Sequence, residues 1–421
     1  MSRFTFKLFM SLLLILPVLV QAQTKLTLQD CIDLGLQGNQ SLRINRYSTE
    51  RSLSQAKSSI GLVLPTVNYS LSAGSSDSPF TNGWQEGYGT SLVVGQNLWD
   101  GGVWWNTLKS AQVAQDAAEI QLSSYEVNTV YQVKVAFYNY LSTRKLNDVY
   151  QDNLKTSTYQ HQLTLERFKL GAASQNDTLR TRVNIEQARL QIINGEAELA
   201  TRARDLNIIL GREWDSPVDL QEPTWVMIQV PQASTLESQV LAQNPNLMLL
   251  DRNREVSKYD VKIARAGYIP SLGLSASYSN SSLALGDVYS DLTASTSASV
   301  SLNWNLFNGN RTKRAVEQSK ISAKMAQENY ELSSRNAVKD LVQTVERMET
   351  LKQSVEISQL ILNASEQDLL LAQEQYKIGS LSILDVLMIT ASFEDAKSNL
   401  IRARYNLKIA EAGLHQLMGK R

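Results

Sequence analysis

Two short motifs place a carboxylate three residues after a serine hydroxyl. Asp177 follows Ser174 in this way, and Asp385 follows Ser382. This Ser-x-x-Asp spacing is typical of a capping box, in which the serine and the carboxylate satisfy free backbone N–H groups at a helix start. The negative charge also complements the dipole of that helix. The chemistry predicted for these four residues is therefore helix capping, and any further role depends on what surrounds them.

The rest of the sequence offers little reactive chemistry. Cys31 is the only cysteine, and the two histidines, His161 and His415, lie far apart in the chain, so a metal cluster would be difficult to assemble. No Ser-His-Asp, Cys-His or phosphate-loop pattern stands out. Basic and acidic residues both number 41, which leaves no basic footprint for nucleic acid. We therefore predict no enzymatic activity, no cofactor, no bound metal and no nucleic-acid partner.

The N-terminus has the features of a secretory signal. Arg3 and Lys7 precede an apolar run over residues 8–20, and Ala22 ends a small-residue cleavage pattern. We predict that residues 1–22 are a signal peptide and exclude them from the fold. No later segment reaches the roughly 18 uninterrupted apolar residues of a transmembrane helix. A membrane-embedded mature protein would therefore enter the membrane as strands.

The mature chain is an internal duplication. Residues 23–212 form a first repeat and residues 234–421 a second, joined by a proline-containing linker over residues 213–233. A duplication of this length predicts two copies of one structural unit. The matched pairs are Leu42 with Leu247 and Pro65 with Pro270, at an offset of 205 residues, and Gly101 with Gly309, Gly171 with Gly379 and Gly211 with Gly419, at an offset of 208 residues.

Each repeat is predicted to contain a long helical hairpin. No proline lies between Pro79 and Pro217 or after Pro270, so very long helices are permitted there. We predict the hairpins at about residues 103–210 and 310–418, each reversing at a glycine that follows a lysine. Apolar residues at coiled-coil spacing predict their packing seams. These residues are Val130, Val133, Phe137 and Tyr140 in the first repeat, and Val338, Leu341, Val345 and Met348 in the second.

Each repeat is also predicted to contain one β-hairpin, at about residues 66–99 and 271–307. Apolar residues such as Val67, Tyr69 and Leu71 alternate with small polar ones, as in strands with one apolar face. Runs of about 9 to 12 residues are long enough to cross a bilayer as tilted strands. Aromatic residues at the strand ends, as in an interfacial girdle, are Trp99, Trp304 and Phe307.

Four strands cannot stay open in lipid, because unpaired backbone groups cost several kcal/mol each where no water can satisfy them. Closure therefore requires further copies of the chain. Two copies would give eight strands and a bore filled by side chains, whereas three would give twelve and room for a lumen. The number of strands thus predicts an oligomer and leaves both a dimer and a trimer open. The trimer is favoured because it leaves room for a lumen.

These features together resemble the TolC family of outer-membrane efflux proteins. The resemblance rests on the secretory signal, the duplication, the Leu-aromatic-Asx-Gly ends of both β-hairpins and the Phe/Tyr-Lys-Leu/Ile-Gly turns of both helical hairpins. It implies an α+β fold, mainly α, in which three chains form a 12-stranded β-barrel in the outer membrane and a coiled-coil α-barrel of twelve helices in the periplasm. The linker would form a belt around the middle of this tunnel.

The resemblance also implies roles at the helix reversals. Asp385 would line the periplasmic entrance, Asp177 occupies the equivalent position, and Tyr376 would help to hold the entrance shut. At about 6 Å, two carboxylates of an Asp385 ring would repel by roughly 0.7 kcal/mol in water, and such a ring attracts cations. The chain departs from the family at Met388, where a second aspartate is expected, and at Leu381, where an arginine partner of the tyrosine is expected. Capping alone would also explain both aspartates.

By the same resemblance, a periplasmic adaptor protein would dock on the turns and connect to an inner-membrane pump of RND or ABC type. The protein would then be a passive exit duct of a tripartite efflux or type I secretion system, seated in outer-membrane lipid. A periplasmic coiled-coil scaffold without a pore is the alternative, and the cargo, whether drug, metal ion or protein, stays open. The docking residues would be Leu170, Gly171, Ala172, Ile378, Gly379 and Ser380.

Overall fold

The computed structural model describes residues 25–77, 83–289 and 294–421. The predicted signal peptide, residues 1–22, lies outside these described residues. Each repeat contributes two short helices, two strands and two long helices in the same order. The elements are α1 (Leu28–Gly38), α2 (Gln40–Ser58), β1 (Thr66–Asp77), β2 (Trp84–Trp99), α3 (Val103–Lys169), α4 (Gln175–Leu210), α5 (Ala233–Gln243), α6 (Pro245–Ala266), β3 (Ser271–Ser282), β4 (Ser295–Asn303), α7 (Arg311–Ile378) and α8 (Ile383–Leu417).

The two longest helices set the dimensions of the molecule. Helix α3 has 67 residues and α7 has 68, so each is about 100 Å long at a rise of 1.5 Å per residue. Helix α3 packs between α4 and α8, and α7 packs on the far side of α8. The four long helices therefore form one layer in the order α4, α3, α8, α7. Among the described residues, no helix is both long and apolar enough to cross a membrane.

The shorter helices α2 and α6 begin where α4 and α8 end. Asn39 caps α2 by accepting the N–H of Leu42, and its side-chain amide donates to the Ile209 carbonyl near the end of α4, at 2.9 Å. Asn244 repeats the arrangement in the second half, where it caps α6 and donates to the Leu417 carbonyl of α8 at 3.0 Å. Each asparagine thus satisfies one helix start and one helix end at a single junction.

The strands form one antiparallel sheet in the order β1-β2-β3-β4, so β1 and β4 are its two edges. Its apolar face exposes residues such as Val67, Tyr69 and Leu302. The opposite face carries paired serines, with hydroxyl oxygens 2.8 Å apart in Ser70–Ser91, Ser275–Ser299 and Ser277–Ser297. The sheet therefore has the apolar and small-polar faces that the alternation predicted.

Two strands differ in length from the predicted runs. Strand β2 has 16 residues, because it is paired on both sides, with β1 and with β3. Strand β4 ends at Asn303, short of the predicted limit near residue 307. The reason is its pairing, since Ser271 at the start of β3 lies opposite Asn303 and nothing in β3 faces the residues beyond. Trp304 and Phe307 are exposed just past the strand.

The two large core clusters of the described residues lie one in each repeat, and a third, small cluster surrounds Tyr376. All four seam residues predicted in α3 are buried in the first cluster. In the second repeat, Leu341 and Met348 are fully buried, whereas Val338 and Val345 are half-buried. Helix α7 lies at the end of the helical layer and has neighbours on one flank only. Its seam residues are therefore less completely buried than those of α3.

The linker packs on this layer and contacts a long helix of each repeat, α3 and α8. Its carbonyls at Val218 and Leu220 accept hydrogen bonds from Tyr140 and Arg144 of α3, at 3.0 and 3.1 Å. Further along, Glu222 forms an ion pair with Lys145 at 2.7 Å. Trp225 then stacks against Arg404 and Lys408 of α8. We call residues 213–233 the belt from here on.

Candidate functional site

The two helix reversals, α3 to α4 and α7 to α8, are built in the same way. Gly171 and Gly379 adopt left-handed backbone conformations, with φ of 75° and 85°. The following residues, Ala172 and Ser380, donate their N–H groups back to helix carbonyls at 2.8 and 2.9 Å. This is the hydrogen-bond pattern of a Schellman motif, which glycine permits without strain. The predicted helix ends at both glycines are therefore present.

Each returning helix begins at its predicted serine cap. In the first hairpin, Asp177 accepts the N–H of Ser174 at 2.9 Å and its hydroxyl at 2.8 Å. The Ser174 N–H, and then the Ser174 hydroxyl, lower the pKa of Asp177 by stabilising its charged form. In the second hairpin, Ser382 donates its hydroxyl to Asp385 at 2.6 Å and accepts the Asp385 N–H at 3.3 Å. The first hairpin therefore has the complete capping box, whereas in the second Ser382 caps α8 and its hydroxyl holds the Asp385 carboxylate.

Tyr376 is buried where the two hairpins meet. Its hydroxyl lies 2.9 Å from that of Thr164 in α3. The guanidinium of Arg167, also from α3, lies 4.6 Å from the centre of the tyrosine ring and donates to the Tyr376 carbonyl. The tyrosine therefore bonds to the first hairpin through both its side chain and its backbone.

Arg167 is a residue that sequence reasoning missed. The arginine partner of Tyr376 was sought near Gly379, where the chain has Leu381, and Leu381 packs against the small apolar cluster around Tyr376 instead. The arginine comes from the other repeat, at the position equivalent to Gln375. The sequence signal that could have identified Arg167 is that the repeats differ here, with a charged arginine in the first and a neutral glutamine in the second.

The expected docking residues all lie at the exposed end of the molecule. Leu170 and Ile378, the last residues before the two glycines, expose 83% and 81% of their surface. Gly171, Ala172, Gly379 and Ser380 are exposed beside them. The two equivalent turns thus each expose one large apolar side chain. Met388, one helical turn beyond Asp385, is 55% exposed.

Above the turns, α3 packs against its neighbours through polar side chains. Gln160 donates to the Thr390 hydroxyl of α8 at 2.9 Å, and Asn153 donates to the Glu394 carboxylate of α8 at 2.6 Å. Burial, the largest cause, raises the pKa of Glu394 to about 7. We call the contact of α3 with α4 and α8 over residues 153–164 the polar seam. In the described part of the chain, no group of three or more histidine, cysteine or acidic side chains is arranged to hold a metal.

Known proteins share both the sequence pattern and the fold. The outer membrane efflux protein family model matches residues 31–212 and 236–420, one segment in each repeat. The probable efflux pump outer membrane protein TtgC of Pseudomonas putida is 23% identical over 317 residues, which cover 73% of this chain. The matched region spans 65% of TtgC, so the chain covers less than two thirds of that relative.

Two further proteins extend the comparison. Outer membrane protein TolC of Vibrio cholerae is 22% identical over 330 residues, which cover 75% of this chain and 73% of TolC. The crystal structure of the Campylobacter jejuni CmeC outer membrane channel superposes with a TM-score of 0.82 at 17% identity, covering 93% of this chain and 85% of CmeC. The fold is therefore the TolC-like fold, and with a family model matched along both repeats the chain belongs to the outer membrane efflux protein family.

Proposed function

We propose that this protein is the outer-membrane channel of a tripartite efflux or type I secretion system, a passive exit duct made of three chains. The observation that carries the proposal is that both layers of the fold end in unsatisfied edges. The sheet ends at β1 and β4, and the helical layer ends at α4 and α7. Membership of the outer membrane efflux protein family supports the same conclusion.

The sheet edges favour closure by identical copies. Open backbone groups of β1 and β4 would each cost several kcal/mol in lipid, and a neighbouring copy would pair β4 with β1. The exposed apolar face would then contact lipid, while the serine face would line the lumen. Three copies of a four-stranded sheet give twelve strands, enough for an open lumen.

The flanks of the helical layer favour the same closure. Exposed apolar residues recur at coiled-coil spacing on α4 and on α7, the two helices with an open flank. In a ring of three chains, α4 of one copy would pack against α7 of the next, and twelve long helices would enclose a tunnel. These exposed residues are Leu179, Val183, Leu190 and Ile193 on α4, and Ile357, Leu360, Ile361 and Leu371 on α7.

The helix reversals would be the periplasmic entrance of this tunnel. Asp385, Asp177 and Met388 would form its rim, and the contact of Tyr376 with Thr164 and Arg167 would hold the two hairpins of each chain together. The exposed turns would take the periplasmic adaptor, through Leu170, Gly171, Ala172, Ile378, Gly379 and Ser380. An inner-membrane pump would supply the energy, because the chain itself belongs to a family without enzymatic activity.

The test is the assembly state of protein extracted in detergent from the outer-membrane fraction. We expect a native mass of three chains and ion-conducting channels in planar bilayers. Leu190→Asp, on the open flank of α4, should prevent assembly because it buries a charge between copies. Gln191→Asp, exposed on the same helix but turned towards α3, where Gln191 accepts from Asn153 at 3.3 Å, is the matched control and should assemble. A water-soluble monomer without channel activity would instead favour the periplasmic scaffold.

A further inference from the structure

The two returning helices differ in charge one turn after their caps. Asp177 of α4 and Asp385 of α8 are equivalent in the duplication, and each follows the serine that caps its helix. Three residues later, α8 has Met388 and α4 has Arg180. Both side chains are exposed. The same position of the repeated unit therefore carries a full positive charge in one hairpin and an apolar thioether in the other.

Helical periodicity gives the face on which these two residues lie. Thr390 bonds to Gln160 and so faces α3, while Met388, about 200° around α8 from Thr390, faces away from α3. On α4, the buried Thr181 contacts His161 of α3 at 2.7 Å, and Arg180 lies about 100° from it. Arg180 is therefore outside this contact, and the offset of 208 residues makes it the equivalent of Met388 in the second hairpin.

We propose that Arg180 is a specificity-determining residue of the periplasmic entrance. This inference rests on the proposed function, in which Asp385 and Met388 line that entrance. Equivalent positions of the two hairpins then alternate around the axis, so three Arg180 guanidinium groups alternate with three Met388 side chains, one helical turn beyond the Asp177 and Asp385 carboxylates. The rim is of mixed charge, and it admits anionic and zwitterionic solutes as well as cations.

The charges at the first hairpin are consistent with this assignment. Hydrogen bonds from Ser174 are the main cause of the lowered pKa of Asp177, and the positive charges of Arg180 and Arg167 add to it. Arg167 is already engaged with Tyr376, whereas Arg180 is exposed. The field of Arg180 therefore acts on the rim that an entering solute meets.

The size of the effect follows from Coulomb's law. A unit charge about 7 Å from a permeating ion changes the occupancy of that ion roughly threefold in water. Three arginines in a narrow entrance should change the preference for potassium over chloride by at least that factor. The carboxylates of Asp385 act in the opposite sense.

The test measures reversal potentials of the full-length protein in planar bilayers under a potassium chloride gradient. We expect Arg180→Met, which installs the residue of the equivalent position, to raise the potassium-to-chloride permeability ratio about threefold or more. Arg180→Lys keeps the charge and should keep the wild-type ratio. Asp385→Asn should lower the ratio. A native mass of three chains for every variant controls for folding.

The outcomes separate this inference from the proposed function. If Asp385→Asn lowers the ratio while Arg180→Met has the wild-type value, the entrance is real and Arg180 does not face it, which overturns the inference alone. If Arg180→Lys changes the ratio as much as Arg180→Met, charge is not the cause and the inference is again wrong. A protein without channels overturns the proposed function and the inference together. Channels whose ratio is indifferent to both variants remove Asp385 and Arg180 from the entrance and overturn the inference alone.

Discussion

Helix α3 contacts its neighbours through two stretches of opposite chemistry. Near the belt, the buried residues include Val130, Val133, Phe137 and Leu141. Towards the turns, the buried residues of the polar seam are Asn153, Ser157, Gln160 and Thr164. Both stretches follow coiled-coil spacing. The difference is that the first is held by apolar packing, whereas the second is held mainly by hydrogen bonds between side chains, with a small apolar cluster around Tyr376 at its turn end.

This difference indicates which part of the helical layer can separate. Apolar packing loses its full stabilisation when water enters, because the buried surface is exposed again. A hydrogen bond between neutral side chains contributes only about 1 kcal/mol net, since water replaces the lost partner. The belt adds further ties at Tyr140, Arg144 and Lys145. We therefore expect the layer to open at the polar seam and to stay closed near the belt.

The largest expected effect comes from breaking the apolar stretch. Phe137 is fully buried, so Phe137→Ala should lower the free energy of unfolding by about 3 to 5 kcal/mol through lost burial and a cavity. Thr164→Ala, at an equally buried position of the polar seam, should cost less, about 1 to 3 kcal/mol, because it leaves the buried Tyr376 hydroxyl without this partner. Urea unfolding followed by far-UV circular dichroism measures both. Equal losses would remove the distinction between the two stretches.

A smaller effect, dependent on pH, is expected at Glu394. Burial raises the pKa of its carboxyl from 4.5 to about 7, so the packed seam holds the proton more tightly than an open one. Stability should therefore fall as the pH rises from about 4.5 to about 7 and level off above, by about 1 to 2 kcal/mol after allowance for solvent screening. Glu394→Gln should remove this slope.

The duplication supplies a matched control for Glu394. Glu186 of α4 is the equivalent residue, but it is exposed and forms an ion pair with Arg189. Glu186→Gln should therefore keep the wild-type slope when thermal unfolding is measured across this pH range. A wild-type protein whose stability does not change between pH 4.5 and 7 would show that Glu394 is charged within the packed seam.

The smallest expected effect is a gain in stability. Gln160 donates to Thr390, but its carbonyl oxygen is buried without a hydrogen-bond partner among the described residues. Replacing both partners, with Gln160→Leu and Thr390→Val, should stabilise the seam by about 1 kcal/mol because no polar group is left unsatisfied. Thermal unfolding measures the gain. If the double variant is less stable than the Thr390→Val single variant, apolar side chains do not pack this seam more stably than the native polar ones.

Most of the fold could be predicted from local sequence patterns. Proline spacing, alternation and the repeated glycines predicted the order of strands and long helices, because each signal depends on residues close together in the chain. The packing of Val130 and Phe137 in a helix seam could likewise be predicted from their coiled-coil spacing. By contrast, the ends of β2 and β4 depend on what the neighbouring strand offers, so their lengths differed from the predicted runs.

The polar seam and the Arg167 contact were not predictable in this way. Gln160 and Thr390 are 230 residues apart in sequence, and Arg167 is 209 residues from Tyr376. No local periodicity reports which face of α3 meets α8, so these polar residues were not distinguished from solvent-exposed ones. The roles of Asp385, Asp177, Met388 and the docking residues stay predictions, because they depend on copies and partners beyond the single chain.

The most direct test of opening at the polar seam is to crosslink this seam covalently and to record single channels in planar bilayers. Cys31 is buried and is the only cysteine, so Gln160→Cys with Thr390→Cys can be joined selectively by a short cleavable thiol crosslinker. We expect the joined protein to stay at low conductance and to recover on cleavage, whereas joining Tyr138→Cys to Tyr405→Cys, near the belt, should change nothing. A joined polar seam that conducts as freely as the cleaved one would contradict the account.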